Sequence, residues 1–316
     1  MFRIHSGQFN PAVLFIAAVV SLGTASVAHA DIASVCFNFL GAQDYSRAVT
    51  EAKTLLKRKG LASEDERSAQ LCLGGAYRAT GHFREALPAV MRAESLSRST
   101  KDLAITYFLL GSIYIEIGDL DRAELYTQRA IKAYKELGET NLESMGVNNL
   151  ALIVQKRGDQ DRALMLFRES LALEPDGVLK STTLNNIATI HIERKEFDEA
   201  AKLLREAVEI SRRQGDGHKT ALFQINLGGT LRKQGDLAGA EQELTAGLKV
   251  TQLIGARDNE AAAYDQLGLL EMDRKDIPAA KEWFNRAVQT YRAIGQTAKA
   301  DSLAAAAAQV INGASK

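Results

Sequence analysis

Cysteine, proline and aromatic residues are all scarce in this 316-residue chain, which holds two Cys, four Pro, one Trp and only 6% Phe, Tyr and Trp together. Two cysteines cannot staple a disulfide scaffold of this length, and four prolines exclude a collagen-like or proline-rich chain. Net charge is absent as well, with 39 basic side chains against 39 acidic ones. A nucleic-acid binder needs a basic excess to neutralise phosphates, so that class is excluded. Glycine-rich phosphate loops are missing, because Gly74-Gly75 and Gly228-Gly229 fall within expected helices rather than between strand and helix. What is present is ordinary globular material: 46% hydrophobic and 25% charged residues, which excludes a disordered chain. The abundance of Ala and Leu favours helix.

Residues 1–30 read as a secretory signal peptide. Arg3 is the only charged residue there, Ala12 to Val20 is an unbroken apolar run, and Ala28-His29-Ala30 offers a small-x-small cleavage site. That run is short against the roughly 20 apolar residues that a membrane helix requires. Cleavage after Ala30 leaves 286 residues with 38 basic and 39 acidic side chains, no membrane span, and a periplasmic or secreted destination. Cys36 and Cys72 both lie in the exported part. An oxidising compartment permits them to pair, although two thiols packed as small hydrophobes fit equally well.

The remainder is one pattern repeated. A Leu or Ile followed by a small residue recurs with the small residue at 74, 111, 151, 188, 228 and 268, in steps of 37, 40, 37, 40 and 40. Twelve residues after each stands an alanine: Ala86, Ala123, Ala163, Ala200, Ala240 and Ala280. Tyr45-Ser46-Arg47-Ala48 matches Phe83-Arg84-Glu85-Ala86, which marks a degenerate earlier copy. Each copy reads as two helices separated by a turn at Gly81, Gly118, Gly158 or Gly235, where positive φ is free of a Cβ clash. Lys195 and Lys275 replace that glycine in two copies and should strain the turn. Pro88 falls inside a second helix and should kink it or delay its start.

This pattern resembles the tetratricopeptide repeat family over about residues 35 to 295. Its long steps, and the string Gly146-Val147-Asn148-Asn149-Leu150-Ala151, are similar to the kinesin light chain type. The resemblance implies an all-α, right-handed superhelical solenoid of antiparallel helix pairs. Repeats are expected near 31–60, 66–100, 104–140, 144–177, 181–215, 221–255 and 261–295, in a single domain over 31–316. Residues 297–313 read as a final capping helix.

Candidate chemistry is sparse. His82, His191 and His218 stand in separate repeats, with no cysteine pair at ligand spacing, so neither a metal, a cofactor nor a catalytic site is expected. His191 replaces Tyr77 and Tyr114 of other copies and reads as a packed interior residue. One pattern stands out. Two positions before the small residue are Asn149, Asn186, Asn226 and Gln266, whereas Cys72 and Leu109 occupy that place in the first two complete copies. Carboxamides both donate and accept, so a row of them can bind a peptide backbone whatever its side chains. They can equally bond to each other and fix the stacking. The row is similar to the asparagine ladders of kinesin light chains and of the repeat domain of the O-linked N-acetylglucosamine transferase. Asn148, Asn185, Phe108, Ile192 and Arg232 are expected beside it on the concave wall. The function these features imply is an exported scaffold that binds protein or peptide segments and assists an envelope complex. The alternatives are a structural subunit that uses convex or end surfaces, and a regulatory accessory subunit of an envelope enzyme.

Overall fold

The computed structural model describes residues 30–42, 44–174 and 176–314; the expected signal peptide, apart from its last residue, lies outside them. The described residues form fifteen helices and no strand, in two compact units. The N-terminal unit, ending at Gly177, holds α1 (Ala30–Gly41), α2 (Tyr45–Leu56), α3 (Ser63–Ala79), α4 (Phe83–Leu96), α5 (Thr100–Ile117), α6 (Leu120–Leu137), α7 (Thr140–Lys156) and α8 (Gln160–Leu173). The C-terminal unit, beginning at Val178, holds α9 (Lys180–Glu193), α10 (Phe197–Arg213), α11 (Gly217–Gln234), α12 (Leu237–Ile254), α13 (Arg257–Asp273), α14 (Ile277–Ala293) and α15 (Thr297–Ala314). Within each unit every helix packs on the next, and the first helices of successive repeats also touch: α1 on α3, α3 on α5, α5 on α7, and likewise α9 on α11 and α11 on α13.

The turns show how the sequence directs the chain. Gly118 and Gly235 take φ of +86° and +90°, and the aspartates that follow, Asp119 and Asp236, cap the next helix by accepting from the backbone N–H of Arg122 and Gly239. Lys195 and Lys275 do adopt positive φ, at 62° and 65°, a conformation that costs a residue with a Cβ. Pro88 behaves differently from expectation. Helix α4 starts at Phe83 without delay and runs through Pro88, which is exposed and lies near enough to the N-terminus that few ladder bonds are affected.

Small residues mark the closest approaches. The six alanines at the recurring position are all fully buried. At Gly228 an added Cβ would stand 2.6 Å from Leu244 Cγ and 3.0 Å from the Ala240 carbonyl oxygen, so α11 and α12 meet backbone to backbone there. Ala240→Leu therefore has no room to enter. We expect it to cost about 1–3 kcal/mol by overpacking; an unchanged urea midpoint would show that the helices are not in contact at this register. At the C-terminal end, Ala300 of α15 packs with Ala261, Val288 and Tyr291, and Ala307 and Ile311 pack with Ala280 and Phe284. Apolar residues of α13 and α14 are thus covered by α15.

Candidate binding wall

The four amides occupy one register in the first helices α7, α9, α11 and α13, and all four are half-buried. Their neighbours along those helices are buried apolar residues such as Leu150, Ile187, Leu227 and Leu267. A helix surrounded by others leaves only a narrow strip open, and the amides sit on it.

That register reaches towards the preceding first helix. In the N-terminal unit, Asn149 Nδ2 donates to Ser112 Oγ of α5 at 3.4 Å. In the C-terminal unit, Asn226 Nδ2 donates to Asn185 Oδ1 of α9 at 2.8 Å. Gln266 Oε1 of α13 lies so close to Gly229 of α11 that a Cβ there would stand 2.7 Å from it. Cys72, the residue of this register in α3, is bonded to Cys36 of α1, with their Cα atoms 6.3 Å apart. The disulfide is the covalent counterpart of the amide contacts further along the chain. Leu109 of α5, at the same place, is fully buried. Asn186 is the exception among the amides, because its Nδ2 is buried with no partner among the described residues.

The expected neighbours of the amides divide. Phe108, Asn148, Asn185 and Ile192 are interior residues and do not line an open wall. Phe108 meets Tyr134 edge-on, with ring centroids 6.3 Å apart, and Asn185 accepts the bond from Asn226. The physical reason is the helical step: Phe108, Asn148 and Asn185 stand one residue before the register of the amides, where the side chain swings about 100° into the packed side of the helix, and Ile192, six residues after Asn186, is turned about as far the other way. Arg232 is half-buried, and its Nη1 lies 2.6 Å from Asp273 Oδ2 and links α11 to α13. His191 is half-buried too, and its Nδ1 contacts the Glu196 carboxylate at the turn, so it is not an apolar-core residue.

Two features of the wall were not anticipated. Asp265 stands at the place of Asn148 and Asn185, with its Oδ1 buried and without a partner among the described residues. Burial pushes its carboxyl up to about 6, against the opposing pull of Arg232 and Lys299. The signal was available: an acid where two sister copies carry an amide. The second is a pair of ion contacts between neighbouring repeats. Arg157 reaches from the end of α7 to Asp121 and Glu124 of α6, and Arg274, in the same register, reaches Glu241 of α12 at 2.5 Å. Both arginines also stand at the C-terminal end of their helix, where a cation suits the helix dipole. Among the described residues, no group of three or more His, Cys, Asp or Glu could hold a metal ion, and no helix is long and apolar enough to cross a membrane.

Comparison with known proteins agrees with this geometry. The Tetratricopeptide repeat family matches residues 65–136, 143–213 and 179–252. Protein KINESIN LIGHT CHAIN-RELATED 2 of Arabidopsis thaliana is 28% identical over 118 residues, 35% of this chain and 18% of that protein. Response regulator aspartate phosphatase E of Bacillus subtilis is 28% identical over 122 residues, 37% of this chain and 32% of that protein. The matches therefore span less than a third of either relative's length. Among solved structures, a Rap protein complexed with Competence and Sporulation Factor shares the fold, with a TM-score of 0.63 at 12% identity over 89% of this chain and 85% of that one.

Proposed function

We propose, on the premise that this chain belongs to the tetratricopeptide repeat family, that it is an exported adaptor of the cell envelope, periplasmic or secreted, whose first helices hold a segment of a partner protein. The observation that carries this reading is the half-buried state of Asn149, Asn186, Asn226 and Gln266 at one register of the first helices. The amide N–H groups of Asn149 and Asn226 bond within the protein, and their carbonyl oxygens remain to accept N–H groups of a bound backbone. Amides at one register in the successive repeats of the C-terminal unit, Asn186, Asn226 and Gln266, suit a peptide chain better than a compact small molecule. The likeness of fold to a Rap protein found with Competence and Sporulation Factor supports a ligand-holding role. Export is supported by Arg3, the apolar run to Val20 and Ala28-His29-Ala30. It is supported also by the Cys36–Cys72 disulfide, since such bonds persist in oxidising compartments. The role we assign is non-catalytic and needs no cofactor.

The inter-repeat bonds of Asn149 and Asn226 favour a second reading. In it the amides only fix the stacking, and the protein is a structural or accessory subunit that uses other surfaces. Asn186 separates the two, because its Nδ2 has no partner to lose on folding. With a partner captured from periplasmic extract by residues 31–316, Asn186→Ala should weaken affinity by about 1–3 kcal/mol, roughly 5–150-fold, with the melting temperature kept. Asn226→Ala should lose both. Melting temperature lost with affinity kept, in Asn186→Ala, leaves the amides as stacking residues alone.

A further inference from the structure

Helix α1 has the composition of an interior first helix. Residues 32–43 carry no charged side chain, and neither do 68–77 of α3, 103–115 of α5 or 220–231 of α11. Those three helices each lie between two other first helices: α3 between α1 and α5, α5 between α3 and α7, and α11 between α9 and α13. An uncharged run suits such a position because neighbours cover it, and no residue of the three runs is exposed. Among the described residues α1 packs on one first helix, α3. Its run is correspondingly bare. Cys36 and Leu40 are buried, whereas Val35 is 42% exposed, Asn38 and Ala42 are exposed, and Phe37 and Phe39 are half-buried.

Val35, Asn38, Phe39 and Ala42 follow the i, i+3, i+4, i+7 spacing of one helix face. Cys36 and Leu40 point away from it, and the Cys36–Cys72 bond ties that opposite side to α3. The face is therefore held outward. Terminal repeats of a solenoid require an outer surface that water tolerates. Helix α15 has one, with Asp301, Ser302 and Gln309 exposed and, among its described residues, no exposed apolar side chain larger than alanine. Helix α1 instead presents a valine and two phenylalanine rings, with only the Arg47 guanidinium at the rim, 5.6 Å from the Phe39 ring centroid.

We propose that the bare face of α1 is covered by α1 of a second copy, across a two-fold axis. An apolar face gains nothing from meeting the polar outer surface of α15, so the apolar face that another copy offers it is the same α1. Pairing like with like is the isologous arrangement, which closes at two copies, and an uncharged run meets itself without desolvating a charge. Its size sets its strength. Twelve residues make a helix about 18 Å long, so α1 and the adjoining α2 offer on the order of 400 Å² per copy. That is well below the roughly 800 Å² per partner of a standard stable interface, and the dimer should be a dissociating one. The proposal rests on the export reading, under which residues 1–30 are removed and cannot cover α1.

The test is sedimentation velocity of residues 31–316 from about 1 to 500 µM, where monomer should give way to dimer with a dissociation constant on the order of 10–100 µM. The mass should stop at two copies. Val35→Asp and, separately, Asn38→Arg set a charge against its own symmetry mate, and each should raise the dissociation constant at least about tenfold. Both residues are exposed, so the melting temperature of the dilute protein should be kept. A chain that stays monomeric throughout overturns the proposal. Growth beyond two copies overturns it too, because that is head-to-tail association, as does a dimer that neither substitution weakens. A monomeric chain that loses a captured protein in Val35→Asp but keeps it in Asn186→Ala gives the face to a different partner and likewise sinks the dimer. None of these results touches export, which N-terminal sequencing decides: exported protein that begins at Met1 overturns that reading instead.

Discussion

Reduction of the Cys36–Cys72 bond is expected to remove about 4 kcal/mol of stability from the N-terminal unit. The bond closes 36 residues of separation, and cross-linking a loop of that size restricts the unfolded chain by roughly that free energy in the chain-entropy model. The effect should concentrate on α1 and α2. These two helices have twelve residues each, and among the described residues α1 packs on α2 and α3. Helices so short do not persist without tertiary support. Hydrogen exchange with and without a reducing agent should therefore show α1 and α2 opening first, and Cys36→Ala or Cys72→Ala should reproduce the reduced chain. Identical unfolding of reduced and oxidised protein would mean that the bond adds nothing. Two free thiols in protein recovered from the periplasm would mean that it does not form there, and the export reading would lose one of its two supports.

Asp265→Asn is expected to stabilise the C-terminal unit by up to about 3 kcal/mol above pH 7 and to leave it unchanged near pH 4. In an unfolded chain an aspartate ionises near 3.9; in the fold, burial moves Asp265 to about 6. A raised carboxyl pKa means that the folded state holds the proton more tightly. The favourable contribution of the neutral carboxyl is complete below about pH 3.9 and is lost as pH rises through 6. Arg232 and Lys299 limit the shift, but Arg232 is engaged by Asp273, and the Lys299 ammonium lies 4.4 Å from the Tyr291 ring centroid with its own pKa lowered by burial. Asn is the neutral isostere and already stands at this register in Asn148 and Asn185. Denaturant midpoints from pH 4 to 8 decide the matter. Parallel curves for parent and Asp265→Asn would show that Asp265 is solvated and the shift absent.

The helical pairs, their turns and their points of closest approach are legible in the amino-acid pattern. These rest on short-range physics. Apolar residues recurring at a period of about 3.6 specify an amphipathic helix, an αL glycine followed by aspartate ends one helix and starts the next, and recurring alanines leave room for a neighbour. The amide register was visible for the same reason, since a constant spacing from Ala151, Ala188, Gly228 and Gly268 places those side chains alike. What each side chain at a shared register does is set by its contacts in the fold. Asn226 finds Asn185 whereas the Asn186 Nδ2 finds nothing. Arg232 closes on Asp273 whereas Arg78, at the same register, has no hydrogen-bond partner for Nε and Nη2 among the described residues. Phe108 and Asn148, one helical step from the open strip, turn into the packing. Spacing sets the direction in which a side chain leaves its helix, but the group it meets and the water it keeps depend on a second helix tens of residues away. Burial, bonding and charge state are properties of that meeting, and no local pattern encodes them.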